Sequence, residues 1–361
     1  MIDWHKSMQQ TFEYYIVDPA TWADARRLEK VKSCNISRDL SSDTLGYATF
    51  ELDDYIDEQY IRVYLSCTQN GVTERFVLGT FLVQTLPDSF DGKVTTISAD
   101  AYTPLIELTE DKPPLGYTVM KGSNIMEVVC NLTREHCRAP VVRTVSDKTL
   151  FTNYTAGTDD SWLKFIQNLM SNADYQFALA NDGTIMFIPT PKQNAVSPRY
   201  VFTDDNSSIM YPDITKKYDL YKVPNTVEII YSKSNGFYRS VAVNEDPSSP
   251  VSLNARGRTI LYREMNPSAL GSATQAQIDE YAQTMLRSKS TLEETVTFKH
   301  GYVVIDGNDL RLADGVMLSY TKAKLDNQRA VIINQTIDCS PGCPVTETVK
   351  YNKVLWRAQN G

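Results

Sequence analysis

Long apolar runs are missing from this chain: none of its 361 residues belong to a stretch near the roughly 18 apolar residues of a membrane-spanning helix. The opening Met1–Lys6 lacks the apolar core of a secretion signal, so folding in a cytoplasm is expected. An excess of basic residues is missing too. Lys and Arg number 36 against 44 Asp and Glu, giving a net charge of −8. Tight nucleic-acid binding, which needs clustered cations to displace counterions, is therefore not expected. Histidine is scarce, with only His5, His136 and His300, and none stands in a His-Glu-x-x-His pattern. No Gly-x-Ser-x-Gly elbow and no glycine-rich phosphate loop occur. The expectation is a chain with no catalytic residues, no cofactor-binding residues, no metal ligands and no cofactor.

What remains is a folded composition, 42% hydrophobic and 22% charged, in a chain long enough for two or three domains. The nearest approach to a metal cluster is Cys130, His136 and Cys137, whose spacing lacks the second short ligand pair that zinc sites use. His300, followed by Gly301, reads as a structural turn residue. Adjacent carboxylates occur at Asp53-Asp54, Asp57-Glu58 and Glu293-Glu294, and charge runs on strand ends are usually solvated. Tyrosine is abundant at 21 copies, including Tyr14-Tyr15 and Tyr218/Tyr221, as suits strands and also interfaces. Six cysteines are scattered. Cys34 and Cys67 fall on expected strands and could be neighbours, and Cys339 and Cys343 flank a turn that oxidation could close. Sequence alone assigns no pairing.

Residues 1–105 read as all-β. Strands are expected at Lys32–Arg38, Ala48–Leu52, Arg62–Cys67, Arg75–Val83 and Val94–Tyr102, with Asn70-Gly71 and Asp91-Gly92 as hairpin turns. In the third of these, Val63, Leu65 and Cys67 alternate with polar neighbours. Residues 106–200 read as an α+β insert. Ile125, Val128, Val129 and Leu132 fall at helical spacing behind Ser123. Trp162, Phe165, Ile166, Leu169 and Met170 form a clearer stripe over Ser161–Ser171, with Asp159 and Asp160 at its positive end. A hairpin follows, Tyr175–Leu179 and Thr184–Ile188 around Asn181-Asp182-Gly183.

Residues 201–361 return to β. Asn225–Tyr231 and Phe237–Asn244 flank the Asn235-Gly236 turn, and a corner follows at Asp246–Pro250. A single helix is expected over Ala273–Leu286, extending to about 289, with Ser272 and Gln275 as a capping box. Its apolar stripe of Ile278, Tyr281, Ala282, Met285 and Leu286 requires a sheet to lie on. Further strands are expected at Glu294–Phe298, Val316–Tyr320, Ala330–Ile337 and Glu347–Tyr351.

Three stretches carry a resemblance: Ile36–Asp54, Ser161–Pro189 and Asn225–Tyr302, the last with one helix set into a strand array. Together they resemble the tail-hub (baseplate hub) proteins of tailed bacteriophages. The resemblance implies a mainly β fold, two tail-tube-like β-barrels flanking and carrying inserted α/β elements. It also implies a homotrimer whose duplicated barrels join a six-fold tail tube to a three-fold spike or tail tip. The implied partners are the tail tube or distal tail protein, the spike or tail-tip protein and the tape-measure protein. DNA would pass only transiently along a channel, which an acidic surface suits because like charges repel. The implied location is the virion tail, after synthesis in the host cytoplasm. Some members of the family carry a wall-degrading domain after the barrels, and none is expected before Gly361. The alternatives are a tail-tip receptor- or carbohydrate-binding protein and, behind it, a cell-wall hydrolase with carboxylates gathered by the fold.

Overall fold

In a computed structural model, the described residues are 2–90, 95–191, 196–205, 208–218, 220, 223–233, 236–267 and 274–354. The turn at Asp91-Gly92, Asn235, Ser272 and Tyr221 lie outside them. The chain divides into two compact units. The first is Met1–Ile214 with Thr297–Val349; the second is Thr215–Val296 with Lys350–Gly361.

The first unit is built on a largely antiparallel sheet. From Pro344–Val354 the order runs through Leu325–Asp338, Val31–Asp39, Gly46–Leu52, Thr95–Tyr102, Val72–Thr85, Tyr60–Gln69 and Gln9–Val17 to Asp24–Arg27. Pro198–Thr203 pairs in parallel with Gly315–Tyr320, which returns antiparallel on Leu325–Asp338. Mainly β is thus what forms. The expected closure into two separate barrels is not among the pairings of the described residues, which trace an open path. Leu325–Asp338 from the C-terminal part pairs directly with Val31–Asp39 near the start, in the register Ile337 opposite Ile36. That pairing occupies an edge that each half would otherwise leave exposed to unwanted strand addition.

Strict alternation builds the core beneath this sheet. Gly46–Leu52 alternates buried and exposed residues along its whole length, burying Ala48, Phe50 and Leu52. Ile36, Ile61, Val63, Leu65, Leu78, Ala101 and Ile337 join them at essentially zero exposure. The adjacent tyrosines separate as the pleat demands. Tyr14 is buried edge-on against Phe50, whereas Tyr15 and Tyr64 share the Arg75 guanidinium on the other face.

The insert has a core of its own. Helix α1 (Glu107–Glu110) is one turn; α2 (Ile125–His136) is capped by Asn124, whose side chain accepts from Glu127 N at 3.0 Å. Helix α3 (Trp162–Ser171) is capped by Ser161, whose side chain accepts from Lys164 N. Asp160 lies beside Lys164 at 3.0 Å, and the hydrogen bond from that ammonium holds its carboxyl below the usual range. Leu163, Phe165, Ile166 and Leu169 meet Met126, Val129 and the hairpin's Phe177, Ile185 and Phe187 in one buried cluster.

The second unit contains a three-stranded sheet with Thr226–Lys233 in the middle. Gly236–Val243 pairs antiparallel on one side and Leu261–Met265 parallel on the other. The short helix α4 (Leu253–Arg256) ends at Gly257, whose φ of +59° is left-handed. Helix α5 (Gln275–Lys289) lays Ile278, Ala282 and Leu286 on Val227, Ile229 and Ala242. Its capping box is formed by Thr274 and Gln277, two residues after the pair expected from sequence. Leu261–Met265 was not expected as a strand; none of its five residues is buried, so no apolar core face marks it.

Candidate functional site

In the first unit, strands place polar side chains where alternation calls for apolar ones. Cys34, Ile36 and Arg38 share one face of Val31–Asp39, and the first two are buried core. Arg38 therefore enters the protein. Its Nη1 donates to Gln335 Oε1 at 2.6 Å and to Asp309 Oδ2 at 3.1 Å. Its Nη2 donates to the Leu78 carbonyl at 2.6 Å and to Asn181 Oδ1 at 3.1 Å. Asp309 also accepts from Arg311 Nε at 2.9 Å. Burial by itself would raise the Asp309 carboxyl, but Arg38 and Arg311 outweigh it and hold the group below the usual carboxylate range.

The network continues inward. Gln335 Nε2 donates to the Leu310 carbonyl at 3.0 Å and to Glu347 Oε1 at 2.7 Å. His300 Nδ1 lies 2.7 Å from the Gly301 carbonyl, which can only accept, so Nδ1 carries a proton. Its Nε2 then faces Glu347 Oε1 at 3.4 Å. His300 is thus the next-to-last residue of the strand Thr291–Gly301, inside the protein at 1% exposure, rather than the turn residue its sequence suggests.

A second arginine does related work. Arg62, at 6% exposure, donates to Thr80 Oγ1 at 3.1 Å, Asp24 Oδ1 at 3.0 Å and the carbonyls of Trp22 and Asp182 at 3.1 and 3.2 Å. Trp22 Nε1 donates to the same Asp182 carbonyl at 2.7 Å. The tip of the insert's hairpin is therefore gripped at Asn181 by Arg38 and at Asp182 by Arg62. Gly183 completes that tip with φ +86°, and a Cβ there would stand 2.9 Å from the Trp22 ring. Only glycine fits both the turn and the close approach.

Beside this junction lies a cavity of about 410 Å³, within the range of small-ligand sites. One face of the hairpin lines it with Gln176, Ala178, Met186 and Ile188, opposite Leu45, Leu78 and Phe81. Arg199, Arg311 and Asp314 are also in its walls. Arg199 Nη1 donates to Asp314 Oδ2, and burial raises the Asp314 carboxyl despite that partner.

Residues singled out from the sequence lie elsewhere and apart. His136 stacks on Trp162 at 4.1 Å and pairs with Asp111 at 3.2 Å, while Cys137 donates to the Pro104 carbonyl and Cys130 sits against Thr144. Among the described residues, no three His, Cys, Asp or Glu side chains are grouped to hold a metal. Asp53 and Asp54 pair with Lys32 and Lys30 at 2.6 and 2.8 Å. Asp57 and Glu58 are exposed. Glu293 pairs with Lys350 at 2.7 Å, whereas Glu294 points the other way and accepts from the buried Tyr351 hydroxyl. His5 is exposed beside Asp3.

All six cysteines are free thiols, and Cys34, Cys67 and Cys343 lie in the same core. Cys339 N donates to the Cys34 carbonyl at 3.0 Å, so the expected turn brings its two thiols to the early strands. Burial pushes Cys67 up to about 11 and Cys137 up to about 12. The native protein should thus react with a thiol-disulfide reagent at pH 8 at least tenfold more slowly than the urea-unfolded chain, because thiolate is the attacking species. Equal rates would contradict this burial.

No family model matches the sequence, and no curated protein matches it. Solved structures do. The chain is similar to a tail protein from Neisseria meningitidis with a TM-score of 0.65 at 11% identity, covering 95% of this chain and 98% of that one. It is similar to a 43 kDa tail protein of prophage MuSo2 from Shewanella oneidensis with a TM-score of 0.62 at 11% identity, covering 94% and 98%. A chain of the Francisella PdpA–VgrG complex matches with a TM-score of 0.57 at 10% identity, covering 96% of this chain and 53% of its own.

Proposed function

We propose that this chain, which has the fold of phage tail proteins along nearly its whole length, is a structural tail protein of the hub type. The observation that carries the reading is the match over both full lengths to the Neisseria and Shewanella tail proteins. Fold alone does not assign function, so the reading also draws on the character of the molecule. Arg38 and Arg62 are engaged in a structural junction, and the chain is acidic overall, with a net charge of −8. In this reading the chain has no catalytic role and works as a homotrimer, with its duplicated β elements matching a six-fold tube to a three-fold spike. A tape-measure protein and DNA would pass along its axis, where a negative wall repels rather than retains the nucleic acid.

Light scattering after size exclusion tests the assembly. The expected mass is three times the 40.8 kDa chain, with ring-shaped particles in electron micrographs. A monomer at every concentration up to the solubility limit would overturn the self-assembling hub.

A further inference from the structure

The cavity beneath the insert's hairpin retains unused hydrogen-bonding capacity. The hairpin has two faces. Phe177, Ile185 and Phe187 close the insert's core, while Gln176, Ala178, Met186 and Ile188 face the cavity. Gln176 Nε2 is buried there with no acceptor among the described residues. A buried amide donor without a partner costs about 1–3 kcal/mol, so native proteins usually satisfy it. Arg311, at 29% side-chain exposure, also has donors to spare. Its Nε is taken by Asp309, but its two terminal nitrogens have no acceptor among the described residues. At Arg38, by contrast, both terminal nitrogens are engaged.

The charges around the cavity do not cancel. Arg38, Arg199 and Arg311 line it with Asp314, and Asp309 stands behind Arg38 and Arg311, so the arginines outnumber these two carboxylates by one. Asp314 is engaged by Arg199 and by the Arg311 backbone N–H, and so is not aimed at an incoming anion. The rest of the wall is largely apolar: Leu45, Leu78, Phe81, Leu179, Met186 and Ile188. A cavity with an apolar body, one spare positive charge and two spare donors matches a molecule with an apolar chain and a single carboxylate.

We infer that this cavity is a binding site for a small apolar monocarboxylate, whose carboxylate is received by Arg311 and Gln176 and whose chain lies along Met186 and Ile188. A phosphate ester fits less well, since its second charge would find no partner. The site does not depend on the hub reading: a trimer could form with the cavity empty, and a monomer could fill it.

Octanoate and 1-octanol, alike in chain and differing in charge, are the probes. Calorimetric titration of the full chain should show one octanoate per chain, bound at least tenfold more tightly than the alcohol. Arg311→Gln should abolish that preference while leaving alcohol binding within about twofold. In the unsubstituted protein, octanoate should shift the Met186 methyl resonance, a readout that needs no variant to fold. Equal affinity for acid and alcohol, a preference that survives Arg311→Gln, an unmoved Met186 methyl, or no saturable binding at millimolar octanoate would each overturn the site.

Discussion

Replacing Arg38 with methionine should lower stability by about 3–5 kcal/mol, the cost of removing one partner from a buried charge network. The side chain is 13% exposed and its partner Asp309 is 2% exposed. Methionine fills similar volume but leaves Asp309, Gln335, Asn181 and the Leu78 carbonyl short of a donor. At roughly 2–4 °C per kcal/mol for a unit of this size, the melting temperature should fall by about 6–20 °C. Lysine should rescue little, because a single ammonium cannot span two directions as a planar guanidinium does.

The same substitution should change the acid limb of the stability curve. Asp309 is held below its unfolded value, so it contributes stability above the ordinary carboxylate pKa near about 3.9. That contribution is lost as pH falls through its lower folded value. Removing Arg38 withdraws part of the cause. The difference in stability between the two proteins should therefore shrink as pH drops below about 4. A loss below about 1 kcal/mol at pH 7, or a difference that grows on acidification, would show that the junction is not held as described.

The second large effect is expected at Phe165. It is fully buried in α3, with Tyr154 at 5.3 Å, Tyr117 at 5.6 Å and Trp162 at 6.0 Å between ring centroids. Phe165→Ala should cost about 3–5 kcal/mol, since transfer and cavity terms add when rigid neighbours cannot collapse. The effect should be local first. Amides of α2 and α3 should exchange faster with solvent, and Trp162 fluorescence should shift red as its stack on His136 loosens. Accelerated exchange confined to the main sheet, with α2 and α3 protected, would refute an insert core centred on Phe165.

These two positions differed in legibility. Phe165 belongs to the stripe from Trp162 to Met170, and helical spacing alone marks it as buried. Arg38 could have been marked as an inward charge, since Cys34 and Ile36 precede it at period two. Glu347 after Val345, and His300 after Val296 and Phe298, carry the same signal. What that signal cannot supply is the partner. Arg38 and Asp309 are 271 residues apart, and Arg62 and Asp182 are 120 apart.

The sequence by itself determined the elements whose cause is local. Hairpin turns need particular φ angles, as at Asn70 with Gly71 and at Gly183, and an amphipathic stripe needs a fixed period. It also determined the mainly β class, because alternation declares itself within a single strand. Only the tertiary structure decided which strand edges meet and how Leu325–Asp338 joins Val31–Asp39. It alone set the hairpin tip between two arginines and left Gln176 and Arg311 facing one cavity. The physical reason is range: turn and helix energies are settled within a few residues, whereas pairing partners and buried ion networks are settled by which distant segments the folded chain brings together.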